Sequence, residues 1–466
     1  MKKQILTLAL CICAFLTSTA SHRSVSITQA GSLSRAINSS EVRGLDSLTV
    51  AGPMNLSDLR VAWDGAYYGS LKFLDISKAS FEDNKIPDYA FFDADIQKGE
   101  HAFLDINEIV LPSNLEAIGA YSFRNTMVTK MKLPASLKTL GEGSFYTCNL
   151  AYENRGDSFS FPEGIEEIPD YCFYGAFSAS ELRLPSTIRR IGEAAFSGTF
   201  LKKVVFPPEM EAIADKAFFS TSLEEVEFTG NCQSLGEQIF NDSPMLKSIS
   251  LPDNAATIPS YFLNGSAIRT LEIPEAVRVI KKYAFGLNGL LEDVVLHEGI
   301  EEIDDNAFYN SGKINMIILP STLQRVGSHS FKTPDVYCSA VVPPACADNF
   351  NDKSFTLYVL PGLKSVYESA PGWSAADEII EIAAEQFPVA GIKTIDAAAD
   401  TEITVTSAEG GILVNSLKNG PVSFSVYSTD GTLIHKAAAN PESEVRLPAG
   451  IYIVATADDA VKVAVR

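Results

Sequence analysis

A pattern of apolar residues returns through the middle of this 466-residue chain at a nearly fixed interval, which restricts the fold more than any single residue does. From Leu111 the chain reads LPSNLEAIGAYSF, from Leu133 LPASLKTLGEGSF and from Phe161 FPEGIEEIPDYCF. LPSTIRRIGEAAF follows at Leu184, FPPEMEAIADKAF at Phe206 and FTGNCQSLGEQIF at Phe228. Then come LPDNAATIPSYFL at Leu251, IPEAVRVIKKYAF at Ile273, LHEGIEEIDDNAF at Leu296 and LPSTLQRVGSHSF at Leu319. The steps are 22 or 23 residues, apart from one of 28 between Leu133 and Phe161. A weaker leading copy contains Ile76, Ile86 and Phe91, and a closing one contains Val341-Val342-Pro343-Pro344, so the array has eleven or twelve units.

Within a unit, apolar residues fall four, seven and twelve positions after the leading one, as Ile188, Ile191 and Phe196 follow Leu184. Neither a period of 3.6 nor a period of 2 fits this spacing over the whole unit. One coil of a solenoid does fit, with each apolar residue turned to a common axis and stacked on its equivalent in the next coil. The run before each Pro, such as Leu201-Lys202-Lys203-Val204-Val205-Phe206, alternates as a short strand should, and the Pro then ends it. A Gly or Pro after the second apolar position (Gly119, Gly141, Pro169, Gly192) predicts a further turn.

These units resemble the leucine-rich repeats of the BspA-like type, whose hallmark is L-P-x-x-L-x-x-I-G-x-x-A-F. The resemblance covers roughly residues 45–386 and implies an exported, often cell-surface protein of adhesion or protein binding; it does not imply catalysis. Leu357-Tyr358-Val359-Leu360-Pro361-Gly362, with Tyr367 and Trp373, resembles the closing cap of such arrays. Departures are Cys232 in a core slot, Leu263 in place of the repeat Phe, and Thr229 and His297 in place of the turn Pro.

Lys2 and Lys3 precede an apolar stretch from Ile5 to Leu16 and then small residues to Ala20, the pattern of a secretory signal peptide over 1–20. Residues 21–44 form a lead-in, and residues 387–400 read as an Ala-rich linker. Residues 401–466 alternate in seven short runs and predict a small β-sandwich: Glu402–Val405, Ile412–Asn415, Val422–Tyr427, Leu433–His435, Glu444–Leu447, Ile451–Ala455 and Val461–Val465. Val426-Tyr427-Ser428-Thr429-Asp430-Gly431 and Pro448-Ala449-Gly450-Ile451-Tyr452 resemble the C-terminal sorting domains of type IX secretion substrates. A sorting signal and a plain accessory domain both remain open. The expected fold is therefore mainly β: a leucine-rich-repeat solenoid, right-handed and curved, followed by a small sandwich.

A net charge of −21 argues against nucleic acid as a partner, because its phosphates would be repelled. The expected partners are host extracellular protein or glycan, or other bacterial surface proteins, met by an exported monomer with no membrane span in its mature part. No cofactor is expected. The five histidines (His22, His101, His297, His329, His435) are scattered and accompany no nucleophile motif, so no enzyme is predicted. Five cysteines follow the leader; Cys232 falls in a core slot, and Cys338 and Cys346 flank a strand and turn where a disulfide is possible.

The outward positions of the repeat strands are the candidate binding surface, because stacked strands make one continuous exposed sheet. Alternation places Lys130, Lys132, Arg183 and Lys203 there in earlier coils and Glu225, Glu227, Glu272 and Asp293 in later ones. A face that runs from basic to acidic selects a partner of matching polarity; ordinary solubilising charge is the plainer reading. The long step also contains Arg155-Gly156-Asp157, the tripeptide that integrins recognise. Such a triplet arises by chance in about one chain in ten of this length. The alternative to a binding role is a non-catalytic periplasmic or surface scaffold that assists capture of macromolecules by other proteins.

Overall fold

The computed structural model describes residues 21–93, 103–149, 158–176, 181–346 and 349–388, and in the tail 403–408, 411–416, 422–428, 433–439, 442–447, 450–455 and 460–465. The predicted leader (1–20), His101, Arg155-Gly156-Asp157 and linker residues 389–400 lie outside the described residues.

Each repeat is one coil. Its run before the Pro pairs in parallel with the same run in the neighbouring coils: Glu181–Arg183 lies between Ser158–Ser160 and Lys203–Phe206. Inward residues such as Val204 and Phe206 are fully buried, while Lys203 and Val205 turn outward. The second apolar position lies on a two-residue strand, and these also stack, as Glu167–Ile168, Arg190–Ile191 and Ala212-Ile213 do. Where Thr229 replaces Pro, its free N–H donates to Phe206 O at 3.3 Å, a bond that proline cannot make.

The third corner of the coil is a tight turn around the repeat aromatic. Phe91, Phe123, Phe145, Phe173, Phe196 and Phe218 stack in sequence, with centroids 5.1–5.4 Å apart and planes within 17°. Their N–H groups donate to the next coil, as Phe196 does to Ala217 O at 2.8 Å. The 28-residue step leaves the stack undisturbed, since Phe145 and Phe173 lie 5.1 Å apart. Leu263 takes the buried ring position as its spacing predicts, and Phe262 beside it turns edge-on to Phe240. Wrapping the chain around the ring needs a left-handed residue two places before it, whatever its type: Tyr121, Ala194, Lys216 and Gln238 have φ of 48–60°. Each costs about 1 kcal/mol, which ring burial of about 2–3 kcal/mol offsets.

The ladder reaches beyond the recognisable repeats. In the lead-in, His22–Ser26 pairs in parallel with Ser47–Pro53, and Phe73–Ser80 follows. Helices Ser39–Arg43 and Leu56–Tyr67 replace the other sides of these first coils, which is why they lack the repeat hallmark. The buried carboxylate of Asp58 accepts the N–H groups of Gly31 (2.6 Å) and Leu33 (2.8 Å). At the far end Tyr367 and Trp373 close the core as the expected cap. Tyr367 Oη donates to Ala340 O at 2.7 Å, and Trp373 Nε1 to Pro344 O at 2.8 Å. Both terminal strands put a charge where inner coils bury an apolar residue: Arg23 opposite Leu48, and Glu381 opposite Val359. Inward charges of this kind block edge-to-edge growth of the sheet.

In the closing unit Cys338 fills the leading core slot beside Leu319, and Val341 and Val342 stand out in solvent. The possible disulfide is not formed. Cys338 Sγ is buried 3.2 Å from Tyr367 Oη, and Cys346 sits on the second, separate ladder beside Val326. The coil geometry assigns the two thiols to different sides of the core.

The tail forms two antiparallel sheets from all seven expected strands. One joins Ile403–Ala408, Gly411–Ser416 and Glu442–Arg446; the other joins Leu433–Ala439, Val422–Ser428, Gly450–Ala455 and Ala460–Val465. Ile412, Val414 and Val445 from the first share a core with Phe424, Val426 and Val454 from the second.

Candidate binding face

The outward strand positions align in two rows that run along the array. One row contains Glu108 and Lys130, then Glu181, Lys203, Glu225 and Ser248, then Thr270 and Asp293. The other contains Arg183, Val205 and Glu227, then Glu272 and Val295. Seven of the eight charged residues expected on this face fall in these rows; Lys132 is exposed two residues beyond Lys130 but in no paired strand. Lys130, Lys132, Arg183, Glu272 and Asp293 are exposed, and Lys203, Glu225 and Glu227 are half-buried.

The expected basic-to-acidic run does not hold along the first row: Glu108 and Glu181 occupy positions among Lys130 and Lys203, so its earlier coils alternate in sign, and only the second row passes from Arg183 to Glu227 and Glu272. Lys203 and Glu225 lie on adjacent strands with Nζ and Oε1 2.8 Å apart, in an ion pair. Similar ladders join coils outside this face: Glu224 bridges Lys202 (3.4 Å) and Lys247 (3.1 Å), and Glu292 bridges Arg269 (2.8 Å) and Lys313 (3.8 Å). Side chains separated by about one repeat length in sequence become neighbours, and such exposed pairs contribute about 0–1 kcal/mol each.

Sequence reasoning missed a third zone. Met316 and Ile318, on Met316–Leu319, begin a stretch where the second row reads Ile318, Tyr337, Tyr358 and Ile380 in register. The Tyr337 and Tyr358 rings stack at 4.3 Å and 7°, and burial pushes the Tyr337 phenol up to about 12, helped by Tyr358 and Asp335. Phe387 lies over this row, nearly buried, with its ring edge-on to Tyr337 at 5.9 Å. The signal was present as the loss of polar alternation in Met316-Ile317-Ile318-Leu319.

Several of the described hydroxyls and imidazoles serve structural bonds. Ser330 Oγ donates to Gly327 O and Asp304 O, and Ser122 Oγ to Gly119 O and Pro87 O. His22 contacts Ser47 and Ser24 hydroxyls at an exposed edge, and His329 pairs with Asp352. Cys172 is pushed up to about 12 and Cys232 to about 11 by burial, which keeps both as thiols. A groove of about 510 Å³ beside Ser321, Gln324, Ser339, Val341 and Pro343 has no titratable lining. Among the described residues no three His, Cys, Asp or Glu side chains gather as a metal site, and no helix is long and apolar enough to cross a membrane.

Stacked coils whose equivalent strands pair in successive parallel sheets define a leucine-rich-repeat solenoid. The chain belongs to the BspA type leucine-rich repeat family, whose profile matches in six copies over residues 84–221, 153–247 and 211–336, more than half of its length. No curated protein matches it. Among solved structures it is similar to a leucine-rich repeat protein from Bacteroides ovatus, at 15% identity over 77% of this chain and 92% of that one, with a TM-score of 0.48. It is also similar to a leucine rich cell surface protein from Faecalibacterium prausnitzii (15% identity, 72% and 79% covered, TM-score 0.35). A third is the pneumococcal vaccine antigen PcpA (16% identity, 73% and 80% covered, TM-score 0.34).

Proposed function

We propose that this is an exported, surface-attached or secreted bacterial protein that binds host extracellular protein or glycan, without catalysis, through the outward face of its long parallel sheet. The observation that carries the reading is the pair of outward rows, whose exposed charges lie on a rigid ladder. A rigid, preformed surface binds with little ordering cost. Export rests on the signal-peptide pattern at 1–20, and retention on the sorting-domain resemblance of 401–466. The Arg155-Gly156-Asp157 tripeptide is a second point of contact in this reading, directed at integrins.

The test presents the mature chain, residues 21–466, to immobilised matrix proteins and a glycan array at physiological salt. Saturable binding that weakens when Lys132 and Arg183 are reversed to Glu supports the face. Saturable binding unchanged by that reversal removes its basic end from the reading. Absence of binding at micromolar concentration favours a scaffold whose partners are bacterial. Equal cell adhesion by an Asp157→Glu variant discards the integrin contact.

A further inference from the structure

We infer that the C-terminal third of the outer face takes an extended peptide segment in which basic and apolar side chains alternate, supplied by a protein partner. The inference rests on the proposal that this face binds protein, and it names the chemistry of what is bound.

Three observations meet here. The second row turns apolar at Val295 and stays so through Ile318, Tyr337, Tyr358 and Ile380, all half-buried on the outside of the sheet. Ordinary solubilising design puts polar side chains at such positions. Beside it, the first row holds Asp293, Asp335 and Glu378, with Met316 and Thr356 between them. From Glu225 to Ile380, among the described residues, no outward position of either row is Lys or Arg.

The third observation is that the face already holds one apolar side chain laid on it from above. Phe387 is six residues past the last strand, Glu378–Glu381, and reaches back across Thr356–Val359 to the ring of Tyr337. It is nearly buried there, whereas Met316, one strand further on in the first row, is 41% exposed. The surface therefore buries an aromatic side chain laid on it by the single helical turn Ala384–Gln386.

The two rows lie about 6.8 Å apart, the rise of two strand residues. An extended chain laid between them turns alternate side chains to opposite sides, apolar ones towards the second row and cationic ones towards the first, whose carboxylates fall on every second coil, about 9.6 Å apart, within the reach of flexible Lys or Arg side chains. Stacked at 4.3 Å, Tyr337 and Tyr358 close their facing surfaces to each other, which leaves no room for a sugar ring between them. The acidic row repels nucleic acid and attracts a basic segment, and the chain's charge of −21 steers the same encounter from a distance.

The probe is a fluorescein-labelled octapeptide alternating Lys with Phe, Val or Ile, titrated with mature protein and read by anisotropy. Two matched peptides carry Glu in place of Lys, or Ser in place of the apolar residues. Saturable binding of the first peptide below ~100 µM is expected, at least about tenfold tighter than either matched peptide. Reversing Asp293 and Asp335 together to Lys weakens it by about tenfold, and the same reversal at the exposed Glu166 and Glu301, away from this face, by less than about threefold. Phe387→Ala, which uncovers Tyr337, strengthens binding about two- to fivefold.

Equal binding of the Lys–Ser peptide, equal weakening by the Glu166/Glu301 pair, or no saturable binding overturns the inference. So does weaker binding by the Phe387→Ala protein, a readout that stands even if the double reversal fails to fold. Matrix binding that is lost on reversing Lys132 and Arg183, but kept when Asp293 and Asp335 are reversed, leaves the binding face in place and removes this ligand class from it. Loss of both activities removes both readings.

Discussion

Gly192→Ala is the substitution on which the coil geometry makes its sharpest demand. Gly192 has no left-handed φ; a Cβ there would lie 2.4 Å from Asp170 Oδ1, 2.5 Å from Asp170 N and 2.7 Å from Pro169 C in the preceding coil. Normal contact begins near 3.4 Å, so the two coils must part by most of an ångström. Asp170 sits there because its Oδ1 accepts the N–H of Glu193 at 2.6 Å. The same Asp–Gly pairing recurs between Asp88 and Gly119, Asp215 and Gly236, and Asp305 and Gly327, with the following N–H bonded at 2.8–3.0 Å. Where the preceding coil offers Glu193, Glu237, Ser260 or Lys282 instead, the glycine slot holds Ala214, Pro259, Lys281 or Asp304.

Overpacking of this kind costs about 1–3 kcal/mol, and the lost hydrogen bond about 1 kcal/mol more, so Gly192→Ala should destabilise by about 2–4 kcal/mol. The assay is urea unfolding of the mature chain followed by far-UV circular dichroism, with Gly164→Ala as the comparison. Gly164 has φ of +102° but nothing within 4 Å of its missing Cβ, so its replacement meets backbone strain alone, about 1 kcal/mol. Asp170→Ala alone should cost about 1 kcal/mol, and the double variant less than the sum, because removing the carboxylate clears one of the three clashes. A Gly192→Ala protein no less stable than Gly164→Ala, or strict additivity with Asp170→Ala, would refute the reasoning. In a one-dimensional array the damaged interface should also let the two halves unfold at separate midpoints.

Three further outcomes are expected. Phe196→Ala, which opens the ring stack between Phe173 and Phe218, should lower stability by about 3–5 kcal/mol in the same assay, and Phe196→Leu by less than half of that, as Leu263 fills the equivalent slot. Tyr367→Phe leaves Ala340 O without its buried donor and should cost about 1–3 kcal/mol, while mass spectrometry under native oxidising conditions finds no Cys338–Cys346 bridge. Cys172 and Cys232 titrate at about 12 and 11 when folded, against 9.0 for an exposed thiol. The unfolded chain therefore loses these protons first: stability is complete below pH 9 and falls as pH rises towards 11–12, by about 1.4 kcal/mol per pH unit for each thiol, as urea midpoints across that range should record.

The spacing of apolar residues was enough by itself to determine the solenoid, the strand ladder before each Pro, the buried aromatic column and even the substitution of Leu263 into it; the second ladder, in two-residue strands, emerged only from the stacked coils. Each of the former depends only on which residues must leave water at a fixed interval, and that interval is written along the chain. The outward alternation of Lys130 to Asp293 was legible for the same reason. The tail's seven strands were legible too, because period-2 alternation marks each one locally.

Tertiary structure decided what depends on the neighbouring coil. Glycines read as turn residues prove to be close-approach residues, because the clashing atoms belong to a segment about 22 positions away. The expected basic-to-acidic gradient gives way to alternating sign in the first row, and Lys203 pairs with Glu225 because coil stacking sets those two side chains side by side. Cys338 and Cys346, eight positions apart, stand on separate ladders, which no spacing rule for disulfides anticipates. Phe387 finds Tyr337 across fifty residues of chain because the last strand directs its exit back over the sheet. Sequence period sets what stacks; only the stacked coils set which exposed side chains share a surface.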